Sequence, residues 1–201
     1  MQFTVSEFVT WLGTQTVSRT ITHIQQHHTD VPGYQHFTGN NYFALQAWMA
    51  KDHVELKKWP DIGQHFSIFP DGTVVTGRSL DADPTCISKA NSGGICIENV
   101  GNFDVGGDKM TLSHRQATLR VTAALLIRFP GIPRNDRGIV YHHWFNKAGA
   151  RTTGTDAVKS CPGSAFFGGN TVEAFNANFL PAVLALIPVA VHARPGPGLT
   201  A

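Results

Sequence analysis

Thr20-Ile21-Thr22-His23-Ile24-Gln25-Gln26-His27-His28 is the stretch on which the fold turns. Its β-branched start predicts a strand over residues 20 to 28, with an alternation interrupted at Gln25 and Gln26, that runs into a pair of histidines. A second short strand, Ile139-Val140-Tyr141, ends in the same way at His142-His143. Between them, Phe43, Leu45, Ala47, Trp48 and Met49 predict a helix from Asn41 to Lys51, and Asp71-Gly72 predicts a hairpin joining 65–69 to 73–75. Ile95, Ile97 and Asn99 alternate with Cys96, Glu98 and Val100, so a strand there puts Cys96 and Glu98 on one face. Ser113 with Gln116 has the spacing of a capping box and opens a helix ending near Pro130.

Thr4 with Glu7 has that spacing too, and Phe8, Trp11 and Leu12 predict a short N-terminal helix that acts as a cover. A last helix starts near Thr171 and carries Phe175, Phe179, Val183 and Leu186, with Pro181 kinking or splitting it. Strands interleaved with helices make this an α/β domain with a central mixed β-sheet flanked by helices. The domain is expected to occupy residues 1–188, and the Pro- and Gly-rich residues 189–201 to form a flexible tail.

The 201 residues are 42% hydrophobic and 15% charged, enough for one domain with a sizeable core and unlike a disordered chain. Sixteen basic residues give a net charge of only +2, and Lys57-Lys58 is their one adjacent pair, so no nucleic-acid partner is expected. No apolar run reaches the roughly 18 residues that cross a bilayer, and residues 1–7 lack the regions of a signal peptide, so no membrane partner and synthesis in the cytoplasm are expected. Three cysteines cannot form a paired framework. From the odd count and the missing export signal, Cys86 and Cys96 are expected to be free, partly buried thiols, with a disulfide between them as the alternative.

The chemistry lies in the histidine pairs and Cys161. Two imidazoles and one thiolate make a three-ligand zinc site with an open fourth position, the form of a catalytic rather than a structural zinc. Adjacent strand residues point to opposite faces, so one histidine of each pair faces the metal. His23, His36, His114 and His192 have no such context and read as structural or surface residues.

Six segments in order carry a resemblance covering Thr22 to Gly163. They are His27-His28-Thr29, His53 through Phe66 with Trp59-Pro60 and Gly63-Gln64-His65, Asp71-Gly72-Thr73-Val74 with Gly77-Arg78, Gly94-Ile95-Cys96-Ile97-Glu98, His142-His143, and Lys159-Ser160-Cys161-Pro162. In these the chain resembles the zinc-dependent N-acetylmuramoyl-L-alanine amidases of the amidase type 2 family, which includes phage lysozyme-like amidases, peptidoglycan-recognition proteins and cytosolic anhydromuramyl-peptide amidases. The resemblance implies Zn2+ held by His27, His142 and Cys161 in an open cleft. It also implies hydrolysis of the amide between N-acetylmuramic acid and L-alanine, with peptidoglycan or a muropeptide as partner.

It further implies that Lys159 approaches the tetrahedral oxyanion. Gln64 stands where relatives often carry a tyrosine that assists the reacting water, and an amide does not exchange that proton. Glu98 is therefore the expected general base and acid, as in the cytosolic branch. Gln64, Trp144 and Asn99 are expected to contact substrate. A monomeric lytic enzyme that reaches the wall after release or non-classical export is expected. The alternatives are a silent recognition module, a recycling enzyme acting on small muropeptides, and a zinc hydrolase of an unrelated amide.

Overall fold

The computed structural model describes residues 1–153, 156–157 and 159–188. The expected tail therefore lies outside the described residues, as do three positions of the segment between His142 and Cys161. The elements run β1 (Gln2–Phe3), α1 (Val5–Thr14), β2 (His23–His28), α2 (Tyr42–Lys51), β3 (Phe66–Ile68), β4 (Val74–Thr76), β5 (Gly94–Asn99), α3 (Leu112–Arg128), β6 (Ile139–Tyr141), α4 (Val172–Ala174) and α5 (Leu180–Leu184).

The strands form one mixed sheet in the order β1-β4-β3-β5-β2-β6. The β3–β5, β5–β2 and β2–β6 pairs are parallel, whereas β3–β4 and β4–β1 are antiparallel. The 71–72 hairpin forms as expected. Gly72 takes φ +88°, and a Cβ there would meet the Ser113 carbonyl oxygen at 2.9 Å, so the turn and the start of α3 fit only with glycine.

Side-chain alternation divides the sheet into two chemically different faces. Ile24, Ile95, Ile97, Phe66, Ile68 and Val74 join the large apolar core with residues of α1, α3 and the C-terminal helices. The other face carries Ser67 and Val75, over which α2 packs through Tyr42, Leu45 and Met49. Ser67 Oγ donates to Gln46 Oε1 of α2 at 2.7 Å. Thr4 caps α1 with the reciprocal box to Glu7, and Phe8 and Leu12 go into the core, where Phe8 meets Phe66 edge to face at 4.9 Å.

Two helix ends differ from expectation. α3 starts at Leu112, capped by Thr111, whose Oγ1 accepts the His114 N–H at 3.1 Å and also donates to the Pro70 carbonyl. Ser113 is exposed and one residue inside the helix, because the tie to Pro70 fixes the earlier residue as the cap. The last helix begins after Thr171 but widens into a π-helical turn, Phe175–Phe179, before Pro181 enters α5 in its first turn. Phe175, Phe179 and Val183 are buried, whereas Leu186 is 44% exposed, because α5 ends at Leu184 and leaves it in the turn beyond the helix.

Cys86 and Cys96 form a disulfide, contrary to the expected free thiols, with Cα atoms 6.6 Å apart. The odd count misled because Cys161 is placed elsewhere and leaves these two to each other.

Buried neutral histidines tie this fold to pH. His65 is fully buried, and its Nδ1 accepts the Cys96 N–H at 3.0 Å, a role open only to the neutral ring. Burial and the nearby Arg19 and Arg78 push its pKa down to about 4, and burial takes His114 down to about 3, both from the usual 6.5. Unfolding lets each take up a proton, so the stability they confer is complete above about pH 6.5 and is lost as pH falls towards these values. Thermal melts followed by circular dichroism should show Tm falling steadily from pH 6.5 to 4, with a shallower fall for His114→Gln. In urea titrations, Thr111→Ala should cost about 1 kcal/mol and Ser113→Ala less than about 0.5 kcal/mol; equal losses would return the cap to Ser113.

Candidate metal centre

The site sits at the C-terminal ends of the parallel strands, on the α2 side of the sheet. In the β2–β5 register Gln25 lies opposite Cys96 and His27 opposite Glu98. Alternation therefore puts His27, Cys96 and Glu98 on one face and sends Gln26 and His28 to the other. His28 accepts the Phe103 N–H on Nδ1 at 3.1 Å. β6 delivers His142, which opens a 3-10 turn at the strand end, and the loop after it returns Cys161 beneath β2, where Cys161 Sγ accepts the His28 N–H at 3.3 Å.

Donor atoms of His27, His142 and Cys161 all lie within 4.8 Å of one another. His27 Nδ1 is 3.3 Å from Cys161 Sγ, and the His27 and His142 rings have centroids 4.9 Å apart. The three residues are buried, at 4%, 8% and 3% exposure. His143 turns away, with Nδ1 2.8 Å from the Lys159 carbonyl oxygen.

Burial, with Lys159 and neighbouring imidazoles adding to it, holds His27 well below the usual histidine range and His142 at about 4. Both rings are thus neutral and keep a lone pair for a cation. Burial also pushes the Cys161 thiol up, and Glu98 reinforces this. A divalent cation is the group that reconciles this donor set, because it replaces the thiol proton and takes the imidazole lone pairs at once. Two borderline imidazoles and one soft thiolate suit zinc.

Glu98 Oε2 is 4.0 Å from His27 Nδ1, and 16% of the Glu98 side chain remains exposed towards the cleft. Burial raises its carboxyl to about 8, against the opposing pull of Lys159 and Lys57. Lys159 lines the same cleft, a cavity of about 310 Å³ whose walls include Gln64, His53, Lys57 and Trp59. Gln64 Nε2 donates to Ser67 Oγ at 3.0 Å, so hydrogen bonds to the sheet and α2 fix its amide in place.

Trp144 and Asn99 lie away from the cleft, contrary to expectation. Trp144 is 2% exposed, stacks on Tyr141 at 4.7 Å and donates from Nε1 to the Asn170 carbonyl at 2.7 Å. Asn99 is fully buried on the α3 face and donates to the His27 carbonyl at 2.8 Å.

Conversely, His53, Lys57 and Trp59 line the cleft without an expected role. A π-helical turn, Asp52–Leu56, follows α2 and re-aims its last side chains. His53 Nδ1 accepts the Gly63 N–H at 3.0 Å and its ring packs on Trp59 at 4.6 Å. Lys57 pairs with Asp52 at 2.6 Å and lies 5.1 Å from the Trp59 ring. The signal in the sequence was a histidine, a lysine and a tryptophan within seven residues.

The same fold occurs in several solved structures. Drosophila PGRP-LB superposes with a TM-score of 0.59 over 81% of this chain and 84% of that one, at 18% identity. The Ph2119 endolysin from a Thermus scotoductus bacteriophage gives 0.53 over 74% and 81%, at 22% identity. The N-acetylmuramoyl-L-alanine amidase LysC from Clostridium intestinale gives 0.52 over 76% and 84%, at 20% identity. An endolysin of Klebsiella phage KP32 is 33% identical over 76 residues, 36% of this chain and 50% of that protein, so the match spans half of the relative's length. The N-acetylmuramoyl-L-alanine amidase family model matches residues 17–164, which cover both strands that deliver the histidines, Glu98 and Cys161, and the chain belongs to that family.

Proposed function

We propose that this protein is a zinc-dependent amidase that cleaves the bond between the lactyl group of N-acetylmuramic acid and L-alanine in peptidoglycan. The observation that carries this reading is the buried cluster of His27, His142 and Cys161, with donor atoms within 4.8 Å, beside Glu98 at 4.0 Å from His27. These three residues would hold the metal, which when bound supplies an acidified water and an electrophile for the scissile carbonyl.

The remaining steps belong to the chain's own side chains. Glu98 takes the proton of the attacking water and returns a proton to the alanine nitrogen as the C–N bond breaks. Burial raises this carboxyl to about 8, and a cation held by His27, His142 and Cys161 would favour its ionised form, in which it can accept the proton of the water. Lys159 places an ammonium where the carbonyl oxygen becomes negative, an attraction that grows only as charge develops. Gln64 is fixed by Ser67 and orients the substrate amide from the cleft wall.

Recognition without cleavage is the second reading, favoured by the peptidoglycan recognition proteins among the structural neighbours, one of which has been solved with tracheal cytotoxin. The full donor set favours hydrolysis. We further propose a monomeric lytic enzyme that works outside the cell interior, a setting in which the Cys86–Cys96 disulfide persists.

Mass spectrometry of purified peptidoglycan digested with zinc-loaded protein, beside a chelated control, tests the activity. Stem peptides with free L-alanine amino termini should appear only with zinc; intact glycan–peptide links in a zinc-loaded sample would favour recognition. Glu98→Gln should keep its metal and lower kcat by about 10²- to 10⁴-fold. Lys159→Ala should lower kcat by about 10²- to 10³-fold with its metal content unchanged. Cys161→Ser should lose most of its zinc in equilibrium dialysis.

A further inference from the structure

The disulfide lies against the metal centre. Cys96 is two residues before Glu98 on β5 and shares its face, while Cys86 lines the cleft from the facing loop. Donor atoms of His27, Cys86 and Cys96 lie within 4.8 Å of one another, as do those of the first cluster. We propose that reduction of Cys86–Cys96 creates a second metal site, formed by His27, Cys86 and Cys96, for a soft or borderline divalent cation, and that this site shares its imidazole with the first. The inference rests on the reading of His27, His142 and Cys161 as a metal site only in that sharing.

Two thiolates and one imidazole suit zinc, cadmium or cobalt. A tetrahedral zinc with Zn–S about 2.3 Å and Zn–N about 2.0 Å sets its donors about 3.5 Å apart. The two sulfurs therefore move apart once the S–S bond is gone, and the imidazole nitrogen closes on them by at most about 1.3 Å, a shift taken up by the loop carrying Cys86. His27 has a nitrogen to spare. Its Nδ1 faces Cys161, while its Nε2 is buried without any hydrogen-bond partner in a side chain only 4% exposed. An orphaned, buried imidazole nitrogen becomes a ligand atom once it gives up its proton.

The chemistry balances with a small-molecule thiol as reductant. Its thiolate attacks Cys86 Sγ, the half-buried end of the disulfide, and Cys96 leaves as a thiolate. A second thiol then releases Cys86, and the reductant ends as its own disulfide, having given up two electrons. Binding of the cation displaces the remaining thiol protons, and filling both sites at once also displaces the N–H proton of His27, whose imidazolate then bridges the two cations. With metal scarce, the thiolate-rich site draws the ion from the first cluster, so reduction lowers hydrolysis at the cleft.

Cobalt(II) alone is the probe, since its thiolate charge-transfer absorption counts sulfur ligands. The full chain is titrated anaerobically before and after reduction, with the reductant removed and the fold checked by circular dichroism. Oxidised protein should show the absorption of a single thiolate, and reduced protein at saturation about threefold more. Cys161→Ser separates the two sites: oxidised, it should show no charge-transfer band, and reduced, it should show a strong one. The Cys86→Ser, Cys96→Ser double variant should give the single-thiolate spectrum with or without reductant. A folded, reduced Cys161→Ser protein without the band would overturn the second site. Absence of the band from oxidised wild-type protein would count against the first site, and the reduced Cys161→Ser spectrum would still decide the second.

Discussion

The parallel pairing of β2 with β5, with His27 opposite Glu98, is the constraint on which the rest of this molecule depends. In a β-sheet a slip of one residue exchanges the two faces, so a shifted β2 would turn His27 into the core and His28 into the cleft. The apolar pattern alone fixes this register weakly, because β2 carries two glutamines at its centre. A polar clamp on the α3 face supplies what is missing. Asn99 donates to the His27 carbonyl and to Gln26 Oε1, Gln26 donates to Thr122 at 2.9 Å, and Thr118 donates to Asn99 at 2.7 Å. Each group is fully buried and finds its partner only in this register, so slippage would leave several polar atoms unpaired. The face opposite the reactive groups thus determines where they stand.

Electrostatics on the cleft side follows from the same placement. Strand ends deliver two imidazoles and a turn delivers a thiol into a buried corner, where each group is driven towards its neutral form. Lys159 and Lys57 pull the Glu98 carboxyl the other way, towards ionisation, without overcoming its burial. Asp52 balances Lys57 at the rim, so Lys159 above the neutral donors of the floor is what favours negative charge in this cleft.

Much of this was legible in the chain. The strand expected over residues 20–28, which forms only from His23 on, the strand over 139–141, the 71–72 hairpin and the capped first helix were legible because local chemistry and tertiary packing ask for the same thing there. The convergence of His27, His142 and Cys161 was legible as a set of residue types; their approach depends on a register that no local pattern specifies. Asn99 and Trp144 were misassigned for a common reason. Both stand beside candidate ligands in sequence, yet neighbours in a strand or a tight turn face different ways, and each serves the packing behind the site. The disulfide stood only as the alternative because parity counts cysteines as equivalent, whereas the fold commits Cys161 elsewhere. The cap of α3 moved because Pro70, distant in sequence, bonds the hydroxyl of Thr111.

The π turn after α2 has a consequence for how such a cleft diversifies. One residue more than an α-helix requires rotates everything beyond it by about 100°, and here that rotation separates α2, seated on the sheet, from the wall that bears His53, Lys57 and Trp59. A single-codon insertion or deletion in this turn would present a different set of side chains to the ligand while leaving the strands, their register and the buried cluster of donors untouched. Substrate preference can thus drift by changes in length at one helical joint, with little demand on the stability of the sheet.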